Sequence, residues 1–215
     1  MKNYILILLF IMLPAAAFAE SAALERPHWS LEVKGGNFAP DIAGWTTSFG
    51  DRSTGQFEGS LAYKILRQVD AGVAVGRIRD GGQGWAPLHK SYAGKIDYQL
   101  FPVQAFVLLR GIFTENQWVV PYVGGGWTRM YYKEELSQQA PARGHADGSH
   151  VRGGLQLLLD ALDQRASTNM LRDFGVYHTY FFIETERTKA MINDASGVST
   201  NLGGTSWLGG LLFEF

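Results

Sequence analysis

Residues 206–215 read Ser-Trp-Leu-Gly-Gly-Leu-Leu-Phe-Glu-Phe, and their alternation restricts the fold more than any other feature of the chain. On a strand, Trp207, Gly209, Leu211, Phe213 and Phe215 share one face, while Leu208, Gly210, Leu212 and Glu214 share the other. A soluble domain seldom stops in mid-strand on an exposed aromatic, because termini fray in water. A strand that closes a barrel in a bilayer can stop there, since its apolar face meets lipid and both its edges are paired.

The same period of two recurs along the chain. Trp29, Leu31 and Val33 alternate with Ser30, Glu32 and Lys34. Phe57, Gly59, Leu61, Tyr63 and Ile65 alternate with Gln56, Glu58, Ser60, Ala62 and Lys64. Val69, Ala71, Val73 and Val75 oppose Asp70, Gly72, Ala74 and Gly76. In the fourth segment Tyr92, Gly94, Ile96, Tyr98 and Leu100 read as the lipid face, with Lys95, Asp97 and Gln99 inside. Its continuation through Pro102 to Arg110 loses the pattern, and Pro102 predicts a bulge or an irregular end, because it cannot donate to a ladder. The fifth strand is expected over 118–132. The sixth sets Val151, Gly153, Leu155 and Leu157 against His150, Arg152, Gly154 and Gln156. The seventh, over 175–185, sets Tyr177, Thr179, Phe181 and Ile183 against Val176, His178, Tyr180, Phe182 and Glu184. Residues 39–54, 79–89, 133–148 and 186–204 read as long loops. Residues 159–173 do not alternate and suggest a short helix capped by Asp160, bearing Leu162, Ala166 and Met170. This predicts an all-β chain: an eight-stranded antiparallel up-and-down transmembrane β-barrel with long outer loops and short periplasmic turns. Trp29, Trp118, Trp127, Tyr131, Tyr177, Trp207 and Phe215 fall near strand ends, as aromatic girdles require.

The N-terminus supports export. Met1-Lys-Asn is a short positive region, Tyr4 to Leu13 is apolar, and Ala17-Phe18-Ala19 is a small-residue cleavage site, so residues 1–19 read as a signal peptide. Residues 20–27 are then a short lead, and 28–215 the barrel. The apolar run is too short to span a bilayer. Cysteine is absent, which rules out a lipidated N-terminus, disulfides and thiolate metal sites. Removing Lys2 with the signal peptide leaves 18 of the 19 Lys and Arg residues against 20 Asp and Glu, so nothing points to nucleic acid. A mean hydropathy of -0.06 is compatible with a membrane barrel, in which only alternate residues face lipid.

With the signal peptide, Val120-Pro-Tyr-Val-Gly-Gly-Gly-Trp127 and the terminal Gly210-Leu-Leu-Phe-Glu-Phe215, the chain resembles the small eight-stranded outer-membrane barrels of the OmpA-transmembrane, OmpX and OmpW type. The resemblance implies a location in the outer membrane, contact with its lipids and lipopolysaccharide, and a monomer. It also implies that Gly210, Phe213 and Phe215 form a signal read by the barrel-assembly machinery. Leu208 departs from the polar residue usual in that signal. The peptidoglycan-binding half of longer OmpA-type proteins is expected to be absent.

The candidate functional residues are the polar inward positions: Glu32, Lys34, Glu58, Lys64, Asp70, Lys95, Asp97, Arg152, Gln156, His178, Glu184 and Glu214. Eight strands leave an interior about wide enough for side chains alone. These residues therefore read as a paired network that balances buried charge. His178 and Glu184 share a face, but Tyr180 stands where the lipid A deacylases of this fold would need a serine nucleophile, so no catalytic residue is assigned. His145, Asp147 and His150 fall in one glycine-flanked stretch without metal-site spacing, and neither a metal nor a cofactor is expected. Gly124-Gly-Gly126 lacks the Lys-Ser/Thr of a phosphate loop and reads as a place where side chains pack across the barrel. Segment 159–173 reads as a plug for the periplasmic mouth or a docking element for a periplasmic partner. The expected role is structural or surface-interacting and non-enzymatic. The alternatives are a narrow channel for small hydrophobic compounds and, third, a lipid A-modifying enzyme.

Overall fold

The structure is a computed structural model that describes residues 27–86, 88, 91–114, 117–136, 139–193 and 197–215. The expected signal peptide and all of the lead but Pro27 lie outside the described residues. The strands are β1 (Trp29–Pro40), β2 (Thr54–Leu66), β3 (Val69–Ala86), β4 (Ser91–Arg110), β5 (Val119–Leu136), β6 (Gln139–Leu158), β7 (His178–Asn193), the short β8 (Ser199–Asn201) and β9 (Gly204–Glu214). Among the described residues two helices accompany them, α1 (Trp45–Phe49) and α2 (Gln164–Phe174). From β1 to β7 each strand pairs antiparallel with the next. β9 pairs with β7 on one side and β1 on the other, which closes an eight-stranded up-and-down wall. β8 is a three-residue flap on the far end of β7.

The closure carries a fixed stagger. Following cross-strand partners from Trp29 leads through Tyr63, Ala71, Val107, Gly125, Val151, Arg187 and Thr205 back to β1 at Ala39, ten residues above the start. A stagger of this kind demands strands tilted about 35–45° to the barrel axis. Over the lower and middle wall every strand is paired on both sides, as a bilayer demands of a spanning strand, whereas β3 above Ile78 pairs only with β4 and β6 above Gly148 only with β5.

Around the lower and middle wall the outward face is a belt of Leu31, Val33, Val73, Val123, Leu155 and Ile183, all exposed on the isolated chain. Trp29 and Trp118 stand at its lower margin; Trp127 and Trp207 stand toward the upper one. Beyond that margin the polarity of both faces reverses. Arg79, Lys95, Arg129 and Lys189 now point outward. Ile78, Ile96, Tyr98, Leu100, Met130 and Ala190 point inward and are buried. A charged outer face suits water and the apolar inner face makes a dry core, the pattern expected where barrel strands rise clear of an apolar surrounding.

This reversal corrects the reading of β4. Ile96, Tyr98 and Leu100 face the lumen, whereas Lys95 and Asp97 face outward and are not lumen residues. It also corrects the loops, because most of 79–89, 133–148 and 186–204 is strand. β5 and β6 pair up to Leu136 opposite Gln139. Pro102 produces no bulge. Val75 pairs with Val103 and Ile78 with Leu100, the same register on both sides of the proline, and the irregularity falls instead at Gln83/Gly84.

The β1–β2 connection does not extend into solvent. Its α1 turns into the upper mouth, where Trp45 is buried, stacks on Phe49 at 4.1 Å and meets Tyr98 edge-on at 5.2 Å. The seat exists because residue 82 is a glycine: a Cβ there would come within 2.7 Å of the Phe49 ring. Since the chain has no cysteine, the β4 register can be tested directly. In the folded protein Lys95→Cys should react with a hydrophilic maleimide at the rate of an exposed thiol, while Ile96→Cys should stay unlabelled until denaturation; the reverse pattern would restore the sequence-based register.

Candidate functional site

The inward side chains between the two mouths form the candidate site, in stacked layers. The lowest is built on Arg110, whose side chain is fully buried. Its Nε and Nη2 donate to Gln156 Oε1 at 3.0 and 2.6 Å, and Nη1 reaches Asp70 at 3.5 Å and also bonds Glu214. Lys64 Nζ lies 2.7 Å from Glu214 and 3.6 Å from Asp70. The Arg110 guanidinium also covers the Tyr180 ring at 5.3 Å. Sequence reasoning missed Arg110 because it expected β4 to become irregular past Pro102. The signal was present: Gln104, Phe106, Leu108 and Arg110 alternate with Ala105, Val107 and Leu109, and the first set points inward.

The middle layer joins Lys34, Glu58, Glu184, Glu32 and Arg152. Lys34 Nζ contacts Glu58 at 2.7 Å and Glu184 at 2.8 Å. Tyr122 Oη donates to the other Glu184 oxygen at 2.9 Å, and Ser60 Oγ donates to Glu32 at 2.7 Å. Arg152 stands 3.7 Å from both Glu32 and Glu184, beyond hydrogen-bond reach, and its guanidinium lies 3.8 Å over the Phe106 ring. It is held by charge and by the ring face. The glycine run lets β4 and β5 approach closely here: Gly126 pairs with Phe106 on one side and His150 on the other, and a Cβ at 126 would collide with the backbone of Ala105 and Phe106.

Above this, Ser206 donates to Gln56 at 2.7 Å and Gln56 to Glu58 at 3.2 Å. Gln104 and Thr188 donate to one Glu186 oxygen at 2.7 and 2.9 Å, and Thr128 meets His150 Nδ1 at 2.7 Å. The next inward positions are apolar. Phe38, Ile78, Leu100, Met130, Ala190 and Leu202 join Ile42 and Trp45 of the folded-in connection in one buried cluster. At the opposite mouth Val120, Leu158, Tyr180, Phe182 and Leu212 make a second, smaller one, with Ile112 packed against it.

The expected site residues distribute unevenly. Glu32, Lys34, Glu58, Lys64, Asp70, Arg152, Gln156, Glu184 and Glu214 are brought together inside the barrel. His178 stays apart at the lower rim, half-buried, with Nδ1 2.8 Å from Asp160. Asp160 also accepts from Thr179 N at 3.0 Å, so it does not cap α2; Asp163 does, accepting from Arg165 N and Ala166 N. Asp97 is paired outside with Arg79, whose hydrogen bonds hold its carboxyl below the ordinary aspartate range; Arg129 does the same for Asp147. His145 and Asp147 face outward while His150 faces the lumen, so the three cannot share an ion. α2 places no residue in the barrel and buries none of its side chains, which corrects its expected role as a plug.

Gly210, Phe213 and Phe215 line the seam. Gly210 pairs with Lys34, and a Cβ there would meet the backbone of Val33 and Lys34. Phe213 pairs with Leu31 and Thr179. Phe215 N donates to Trp29 O at 2.8 Å, and its carbonyl accepts from His28 N and Trp29 N.

No protein-family model and no curated protein sequence matches the chain. Among solved structures it is similar to the outer membrane protein OprG of Pseudomonas aeruginosa, with 14% identity, a TM-score of 0.57, and coverage of 88% of this chain and 97% of that one. It is also similar to Neisserial surface protein A, with 11% identity, a TM-score of 0.56, and coverage of 87% and 97%. The fold is that of the small eight-stranded outer-membrane barrels.

Breaking the middle layer on one side leaves buried carboxylates uncompensated. Arg152→Ala should destabilise the barrel by about 3–5 kcal/mol, read by reversible denaturant unfolding in lipid vesicles. Arg152→Met combined with Glu184→Gln should recover a good part of that loss, and an Arg152→Ala variant as stable as the wild type would show the charges to be compensated elsewhere.

Proposed function

We propose that the protein is a non-enzymatic, monomeric barrel of the outer membrane, exported by its signal peptide and closed to bulk flow, with a structural or surface-interaction role. The observation that carries this reading is the filled interior. From Arg110 at one end to Trp45 at the other, successive inward layers are filled by ion pairs, hydrogen bonds and apolar packing. What the barrel offers outward is the charged wall above the belt, where Arg79–Asp97, Arg129–Asp147 and Arg187–Asp41 form exposed pairs. Such a wall suits contact with lipopolysaccharide and with surface partners. The Gly210, Phe213 and Phe215 pattern supports recognition by the barrel-assembly machinery during biogenesis. His178 with Asp160 lacks a neighbouring nucleophile at Tyr180, which favours a hydrogen-bonding role over catalysis.

The protein should fractionate with the outer membrane and change its gel mobility on boiling. In planar bilayers it should show no sustained ion conductance, and neither should a variant lacking α1, because the ion-paired layers below would still fill the lumen. Steady channels in the wild type would overturn the closed-barrel reading. A second reading, passage of small hydrophobic compounds, is favoured by one observation: the upper lumen is apolar and is occupied by α1 rather than by the wall alone. Trp45→Ala with Phe49→Ala should then bind an apolar fluorophore that the wild type does not, with conductance unchanged. A variant that folds and binds none would remove this second reading.

A further inference from the structure

Helix α2 follows β6 at the periplasmic end of the barrel and is capped at both ends. Asp163 Oδ1 accepts from Arg165 N and Ala166 N at 3.0 Å each, which satisfies the first turn. At the other end Gly175, at φ 70, donates to Leu171 O, and Val176 N donates to Met170 O, closing the last turn. At 100° per residue, Ala166, Met170, Leu171 and Phe174 gather on one side, while Arg165, Thr168, Asn169 and Arg172 gather on the other.

An amphipathic helix of a globular protein normally buries its apolar side. This one does not. None of its side chains is buried; Leu171 is 44% exposed, Phe174 71%, and Leu162 just ahead of the helix 73%. It does not cover the mouth, which is already filled by Leu158, Tyr180, Leu212 and the Arg110 cluster. The chain enters α2 directly from an apolar surface already described. β6 carries Leu155 and Leu157 outward up to the connection that leads into α2, and Phe113, Trp118 and Phe215 stand exposed at the same end of the wall.

We propose that α2 lies in the plane of the periplasmic leaflet, with Leu162, Leu171 and Phe174 in the boundary between headgroups and acyl chains and with Arg165 and Arg172 toward water. Its partner is the phospholipid surface itself. A helix of 11 residues, about 16 Å long, extends the barrel's footprint sideways on one leaflet only. The β6–β7 side is thereby anchored at a fixed depth and the barrel acquires a preferred rotation and tilt. The inference rests on the reading that the barrel spans a membrane.

Single cysteines are available without background, because the chain has none. Leu171→Cys and Phe174→Cys probe the apolar side, Thr168→Cys and Arg172→Cys the polar side, and Ile183→Cys the belt. Each is labelled with an environment-sensitive nitrobenzoxadiazole dye in the full barrel, folded into phosphatidylcholine vesicles with and without bromine on the acyl chains. Bromolipid quenching at 171 and 174 should exceed that at 168 and 172 about threefold, as shallow insertion of one face requires. Equal, water-like emission at all four positions would overturn the proposal. Blue-shifted emission at 171 and 174 without bromolipid quenching would overturn it too, because the face would then be covered by protein. Failure of the Ile183 label to be quenched would instead refute the spanning barrel, which keeps the two failures apart.

Discussion

Each of the four cations in the lumen, among the described residues, faces two carboxylates. Lys64 and Arg110 share Asp70 and Glu214; Lys34 has Glu58 and Glu184; Arg152 has Glu32 and Glu184. With Tyr122 on Glu184, these residues come from β1, β2, β3, β4, β5, β6, β7 and β9, which is the whole wall. A charge stripped of water is costly until its partner arrives, and here the partners sit on strands far apart in sequence, as with Lys34 and Glu184. The network therefore rewards the closed barrel and penalises partly closed forms. It acts as a condition on closure more than as a source of stability, since a well-packed apolar interior could serve as well for stability alone.

The polarity of each face depends on height, and this decides how much of the fold could be read from the residues. In β1, β2 and β3 the alternating segment lies in the apolar belt, where apolar means outward, and the faces of Leu31, Glu58 and Asp70 follow from alternation alone. In β4 the clearest alternation lies above the belt, where the rule is inverted. Lys95 and Asp97 looked like lumen residues because they were the charged set; they are outside because the outside there is water. The same mistake made the upper halves of β5, β6 and β7 look like loops. Lys133, Arg143 and Lys189 raise the polarity of those segments without ending the strands, since a strand between water and a small dry core needs only every second residue to be apolar.

The site was legible in identity and less so in connection. Lys34, Arg152 and Glu184 could be placed inside from period two, but nothing in the order of residues says that Arg152 leans on Phe106 or that Arg110 ties Gln156 to Glu214. Those contacts depend on the ten-residue stagger, which sets which layers meet across the lumen. The two helices lay at the same limit. Period and turn residues mark 159–173 as helical, yet only the closed mouth shows that α2 has no place inside. Trp45 read as a loop residue until the glycine at 82 showed where it seats.

The β5–β6 hairpin rises past the lipid layer as paired backbone almost to its tip, with Lys133 opposite Arg143. A protease working at the cell surface needs a length of chain it can pull straight into its cleft, and unpaired tips are where that chain is found. Here Lys133 is paired with Arg143 on one side and Gln99 on the other, so drawing it into a cleft means separating three strands. Opening that ladder locally means opening a sheet fixed at its base, so β5 can display charge while giving little purchase for cutting.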